Sequence, residues 1–226
     1  MGITASPWSK RISAIAALDD SNRRALYSYV LAAGEAVGRD EAAGAMGLPR
    51  STASFHLDRL VDEGVLKVEF RKPSGKAGPG SGRPAKFYRA ATDEISASIP
   101  ERHYDLAGDV LATAVSESIN RAIPVREALL EVAHGKGREA GRPGDFVGAL
   151  TDLGYEPVPD NSGYRLLNCP FHRLSRNHED VVCSMNGAFL RGAATASGQA
   201  PECVVPDDGP GHCCARIAAL EAPGEA

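Results

Sequence analysis

The stretch Ser51-Thr-Ala-Ser-Phe-His-Leu-Asp-Arg-Leu-Val-Asp-Glu-Gly-Val-Leu66 decides how the first part of the chain is read. Ala53, Leu57, Leu60 and Val61 recur at helical spacing and form one apolar stripe, which predicts a helix from Arg50 to Glu63. Pro49 stands in the first turn, where its missing N–H is no loss. Gly64 ends the helix, because the residue after a helix often turns left-handed. Upstream, Asp40 can cap a short helix over 41–46 that Gly47 closes. A further helix starts at Ser21-Asn22 and runs through Leu31, with Leu26, Val30 and Leu31 on one face.

Downstream, Val65 to Phe70 and Ala85 to Arg89 alternate apolar and polar residues, the period of a half-buried strand. Between them lies a loop rich in Gly, Pro and basic residues, Arg71 to Pro84. Two helices across a tight glycine turn, followed by a hairpin, make a winged helix-turn-helix. The second helix of such a unit enters the major groove, which just accommodates it. Its candidate contacts are Arg50, Ser51, Thr52, Ser54, His56 and Arg59: guanidinium groups for guanine or phosphate, small hydroxyls for base edges. His56 reads equally as a helix-surface residue. From the wing, Arg71, Lys72, Lys76, Arg83 and Lys86 can reach phosphates or the minor groove. The plainer alternative is solvated charge on a small interaction domain.

The chain of 226 residues carries a net charge of −4, which does not announce a nucleic-acid partner. The average hides a patch: between Arg50 and Arg89 nine basic side chains face four acidic ones, a net of +5, so the rest is acidic. That asymmetry suits a basic DNA-facing module joined to an acidic domain. Apolar residues make up 43% and charged ones 24%, as in ordinary globular proteins. No apolar run is long enough to span a bilayer, and the first ten residues lack a signal-peptide core, so a cytoplasmic protein without a membrane partner is expected.

Two further segments follow. His103 to Ala140 reads as helix, with Leu106, Val110, Ala114 and Ile119 near helical spacing and Pro124 starting a second helix. A hydrophobic connector of this kind suits dimerisation, because helix-turn-helix proteins usually pair to read two half-sites. From Gly144 to Leu220 helix and strand mix: a helix over 145–153, strands over 155–158 and 164–167, a helix over 178–194, and strands over 202–205 and 214–220. The expected class is therefore α+β, in three parts: a winged helix-turn-helix (7–91), central dimerisation helices (100–141) and a mixed α/β cysteine-containing sensor domain (144–220).

All five cysteines fall in the last part: Cys169, Cys183, Cys203, Cys213 and Cys214. Disulfides are improbable in a reducing cytosol, and clustered thiols there more often bind metal or do redox work. Thiolates are soft ligands for zinc, copper(I) and iron–sulfur clusters. No C-x2-C pair occurs, which argues against a zinc finger or ribbon. Cys183, in the first turns of a helix, is expected to be favoured as thiolate by the helix dipole. His172, His178 and His212 lie near cysteines and offer nitrogen. For any one cysteine alone, a small buried hydrophobe is the ordinary fate. Cys169 with His172 as nucleophile and base is not joined by a nucleophile elbow, phosphate loop or carboxylate pair, so no enzyme is expected.

Two resemblances go further. Ser51 to Leu66, with the wing end Gly82-Arg-Pro-Ala-Lys-Phe-Tyr-Arg89, resembles ArsR/MarR-like regulators over roughly the first 90 residues. Asn168-Cys-Pro-Phe-His172, then Cys183-Ser-Met-Asn186, then Gly211-His-Cys-Cys-Ala-Arg-Ile217 resembles their SufR-type branch. The resemblance implies a dimeric winged-helix repressor of iron–sulfur cluster-assembly genes that binds an operator, an inverted repeat, in double-stranded DNA. It implies an iron–sulfur cluster, 4Fe–4S ahead of 2Fe–2S and with zinc as the alternative, on Cys169, Cys183 and one of Cys213 and Cys214. The fourth ligand stays open among His172, Cys203, the other paired cysteine or a further group.

Overall fold

Side-chain and glycine caps set several helix ends in the computed structural model, which describes residues 7–71, 84–207, 209 and 213–219. Asp20 accepts a hydrogen bond from the Arg23 N–H at 2.9 Å and starts one helix. Asp145 does the same for another through the Gly148 N–H at 2.8 Å. Gly47, at φ 62°, takes the left-handed turn that lets one helix stop and the next begin three residues later. The chain divides into two compact units, Met1–Ala97 and Ser98–Ala226. Lys72, Lys76, Arg83 and His212 lie outside the described residues.

The first unit runs α1 (Pro7–Ala17), α2 (Ser21–Ala33), β1 (Val37–Gly38), α3 (Arg39–Met46), α4 (Arg50–Asp62), β2 (Leu66–Arg71) and β3 (Ala85–Ala90). Its strands form an antiparallel sheet in the order β1-β3-β2, with Val68 opposite Tyr88 and Val37 opposite the same tyrosine. Leu26, Val30, Leu57, Leu60, Val65, Leu66 and Tyr88 make its core. Three details differ from the sequence reading. The strand β1 closes the sheet on the far side of β3. Asp40 lies inside the first turn of α3, with Gly38 at the cap and Glu41 reaching back to its N–H. Leu31, expected on the buried face, is exposed.

The second unit runs α5 (Tyr104–Arg121), α6 (Val125–Ala140), α7 (Phe146–Asp152), β4 (Pro157–Asp160), β5 (Gly163–Leu166), α8 (His172–Ser175), α9 (Glu179–Ala196), a 3-10 turn (Pro201–Cys203), β6 (Val204–Pro206) and β7 (Ala215–Ala218). The antiparallel sheet has the order β4-β5-β7-β6. Val110, Ala114, Leu129 and Ala133 from α5 and α6 share one core with Phe171, Met185, Phe189, Leu190 and Ile217. The helices of 100–141 therefore do not stand apart as a connector; they belong to the same body as 144–218.

The tightest contact in that body joins α6 to α9. A Cβ placed on Gly137 would lie 1.9 Å from the Phe189 carbonyl oxygen, and one on Gly192 would lie 2.0 Å from that of His134. Any side chain at either position drives backbone into backbone. Two glycines facing each other's helix let the pair approach to a distance no other residue permits.

Candidate nucleic-acid interface and thiol centre

Helical geometry sorts the α4 candidates. Arg50, Ser51 and Arg59 are exposed, Thr52 and Ser54 are half-buried, and His56 is buried at 8%. His56 was expected among the outward-facing residues. It instead turns inward, its Nδ1 3.9 Å from Asp20 Oδ1, because it follows Ala53 by one turn minus a residue and precedes Leu57 and Leu60 on the core side. The outer face holds Phe55, 65% exposed and not foreseen as a contact. Its spacing betrays it: Ser51, Phe55 and Arg59 are four residues apart and share one ridge. Arg39 of α3 lines the same groove and donates to Ser54 Oγ at 3.2 Å.

Four of the described cations of this face lie beside an acid. Arg50 pairs with Asp40 at 2.5 Å, Arg59 with Glu63 at 2.5 Å, and Lys86 with Asp58 at 2.9 Å. Arg71 pairs with Glu69 at 3.1 Å and stacks over the Phe87 ring at 4.9 Å. Exposed pairs of this kind are worth about 0–1 kcal/mol, so exchanging a carboxylate for a phosphate costs little. Asp58 does more. It accepts from Lys86 Nζ at 2.9 Å and from the Tyr88 hydroxyl at 2.8 Å, tying β3 to α4. Burial pushes its carboxyl up, and the hydrogen bonds from Lys86 and Tyr88 outweigh that and hold it below its ordinary value. Burial and the same carboxylate push the Tyr88 phenol up to about 12.

In the second unit the structure brings four of the five cysteines together from three segments. Cys169 follows β5, Cys183 lies in the second turn of α9, and Cys213 and Cys214 precede β7. The Cys169 loop is held by its neighbour Asn168, which donates to the carbonyls of Glu101 at 3.0 Å and Gly154 at 2.5 Å. Arg102 donates to Asn168 Oδ1 and to the Cys169 carbonyl, the latter at 2.9 Å. The Cys213 N–H donates to the Leu166 carbonyl at 3.0 Å. The thiols then form a string: Cys213 is hydrogen-bonded to Cys169 and Cys214, and Cys214 to Cys183.

A buried asparagine closes the string. Asn186, fully buried, accepts from the Tyr155 hydroxyl at 2.5 Å and donates through Nδ2 to Cys213 Sγ at 3.2 Å and Cys214 Sγ at 3.9 Å. The sequence quoted Asn186 without giving it a role; its place three residues after Cys183, on one helix face, was the available signal.

The electrostatics divide the set in two. The Cys213 hydrogen bond holds the Cys169 thiol below its ordinary value, against the cost of burial. Cys214, receiving hydrogen bonds from Cys213, Cys183 and Asn186, is lowered to about 6. Cys213, hydrogen-bonded to both neighbours and buried, is raised far above its ordinary value. Cys183 is raised to about 12, chiefly by burial and by its bond to Cys214. This reverses the expectation that the helix dipole makes Cys183 a thiolate: burial and a neighbouring thiolate outweigh a dipole of a fraction of a charge.

So the Cys169 and Cys214 thiols lie below the ordinary thiol value and Cys183 and Cys213 above it, and a cationic centre would favour the thiolate in all four. The donor set, four thiols with no carboxylate or imidazole, fits the chemistry of soft-metal and iron–sulfur ligation. Among the described residues no group of three His, Cys, Asp or Glu is arranged to hold a single metal ion.

His172 is exposed at the start of α8, outside the thiol string; its backbone N–H donates to the Cys169 carbonyl at 3.1 Å. Cys203 is buried in the 3-10 turn. Its thiol is raised by burial and by the Glu202 carboxylate, with no other cysteine involved.

Among the described residues no helix is long and apolar enough to cross a membrane. No curated protein and no solved structure matches the chain. Residues 18–69 match the family model of a helix-turn-helix domain, which spans α2, α3, α4 and most of β2. With β3 completing the wing, the N-terminal unit is a winged helix-turn-helix domain, the DNA-binding module of a transcription regulator.

Proposed function

We propose that this regulator is a homodimeric repressor whose affinity for an inverted-repeat operator is set by an iron–sulfur cluster held by Cys169, Cys183, Cys213 and Cys214, and that it controls cluster-assembly genes. The observation that carries the reading is the joining of four thiols from three distant segments around a buried asparagine. When bound, a cluster supplies an oxidant-labile centre that prefers thiolate ligands. The chain's own residues do the rest. Arg102 and Asn168 hold the Cys169 loop, Asn186 and Tyr155 orient the Cys213–Cys214 pair, and α9 carries Cys183. With these segments tied together, the second unit has one arrangement; with them released it has others. A ligand shifts DNA affinity only through its different affinity for such states. Four thiolates hold a 4Fe–4S or a 2Fe–2S cluster, and the 4Fe–4S form is proposed on the resemblance.

A second copy of the chain is the proposed partner of α5. Val115, Val125 and Val181, exposed at 49, 54 and 42%, line an apolar groove between α5, α6 and α9, and Ile119 of α5 is 74% exposed. Exposed apolar residues grouped in this way mark interaction surfaces, and helix-turn-helix modules read paired half-sites as dimers.

Anaerobic purification tests the cluster. A brown protein with stoichiometric iron and sulfide is the expected result; a colourless protein with one zinc per chain sinks it in favour of a zinc site. An operator recovered by in vitro selection should then bind the holo and apo forms with affinities differing several-fold at matched salt.

A further inference from the structure

The four thiols are not equivalent in access. Cys169 and Cys213 are buried at 8 and 1% exposure, whereas Cys183 and Cys214 are only half-buried. Both of the latter line a cleft of about 350 Å3 between α9 and the β6–β7 edge. Its other walls include Leu130, Ser184, Val204, Pro206 and Arg191. Arg191 is the one cation among them, on α9 two turns beyond Cys183, and its side chain is exposed. The cleft thus offers two sulfurs in mutual hydrogen bond, a positive group and room for a small molecule.

The two sulfurs have different parts to play. Cys214 accepts a hydrogen bond from the fully buried Asn186 amide at 3.9 Å and shares the cleft wall with Cys183. Cys183 is the neighbour next in line. A nucleophilic sulfur beside a second, accessible thiol is the arrangement of a dithiol that exchanges with disulfides.

We infer that the Cys183–Cys214 cleft is a thiol–disulfide exchange site for small anionic disulfides, such as those carrying free carboxylates, in the cluster-free protein. Cys214 attacks one sulfur of the disulfide R–S–S–R. The Cys214–S–S–R bond forms as the S–S bond of the disulfide breaks, and R–S⁻ leaves and takes up a proton. Cys183 then gives up its proton, attacks the Cys214 sulfur and expels the second R–S⁻. The dithiol loses two protons and two electrons, and the small disulfide, the oxidant, becomes two thiols. Arg191 attracts the carboxylates into the cleft. Cys169 and Cys213, shielded from it, are spared.

The inference rests on the geometry of the same thiol string as the proposed function but not on a cluster. The test therefore uses the reduced, metal-free full chain. It is exposed to oxidised glutathione, which is anionic, or to cystamine, which is cationic, and followed by mass spectrometry with peptide mapping. The wild-type chain should gain one glutathione on Cys214, then lose it to a Cys183–Cys214 disulfide. Cys183→Ser should trap the adduct. Oxidised glutathione should react faster than cystamine relative to their rates with a free thiol, and Arg191→Glu should reduce that ratio about threefold, the scale of one exposed ion pair. First modification at Cys169, Cys203 or Cys213, modification only after denaturation, or a ratio untouched by Arg191→Glu overturns it. A failed cluster reading shows as absent iron and colour, a separate measurement that these outcomes do not touch.

Discussion

Single residues carry separable roles. Cys213 stands in the middle of the thiol string, whereas Cys203 is a buried thiol apart from it. Cys213→Ser should abolish iron incorporation in anaerobically purified protein, and Cys203→Ser should retain it, both read by iron content per chain. On the reading helix, Phe55→Ala should weaken specific operator binding by about tenfold while leaving non-specific DNA binding nearly unchanged. The reason is that an exposed ring can contact a thymine methyl but not a phosphate, and tenfold in affinity is about 1.4 kcal/mol. A gel-shift titration against selected and scrambled duplexes measures both. The cysteines were legible in the sequence because a thiol declares its chemistry by type. Asn186 and Tyr155 were not, because a buried amide gains its meaning only from what tertiary folding sets beside it. His56 was misjudged because it lies at the edge of the apolar stripe, where a shift of one position separates core from surface.

At the level of elements, α6 and α9 meet through Gly137 and Gly192, and the space around each glycine predicts opposite outcomes along one helix. Gly137→Ala or Gly192→Ala should destabilise the second unit by about 3 kcal/mol, since backbone cannot be displaced as a side-chain tip can. Gly135→Ala, with open space around it, should instead stabilise α6 by about 0.5–1 kcal/mol. Urea titration of the three variants checks both signs. In the first unit, Asp58 joins α4 to β3. Its folded pKa lies below the unfolded value, so its contribution is complete above about pH 4 and is lost as the pH falls through the folded value. Asp58→Asn should lower neutral-pH stability by less than about 1 kcal/mol, because the carboxyl is 40% exposed and screened. The same change should flatten the acid limb of the stability profile measured by denaturant midpoints. The longer helices and the wing strands were legible from their periods. The strand β1, two residues long, has no period to read, and a glycine does not reveal which helix it faces.

Across the whole molecule, two cores predict two responses. Any metal or cluster held by the second unit stabilises the unit that binds it. Calorimetry of holo and apo protein should therefore move the unfolding of Ser98–Ala226 upward and leave that of Met1–Ala97 nearly in place. A single transition shifting as one would contradict this. The sequence divided the chain into three parts, since composition changes near residue 144. Burial divides it into two, since the apolar face of α6 finds its partner in α9, beyond that change. Composition marks where the chain's character alters, and packing decides what moves together.

The glycine crossing gives the sensor unit a mechanical character. At Gly192 the two backbones touch, so α9 has a fixed pivot there. Cys183 sits nine residues nearer the start of the same helix, a lever arm of about 13 Å. Along that arm α9 is also packed into the core through Val182, Met185 and Phe189. A displacement of the Cys183 sulfur is therefore passed by α9, as a stiff body, into the core it shares with α6.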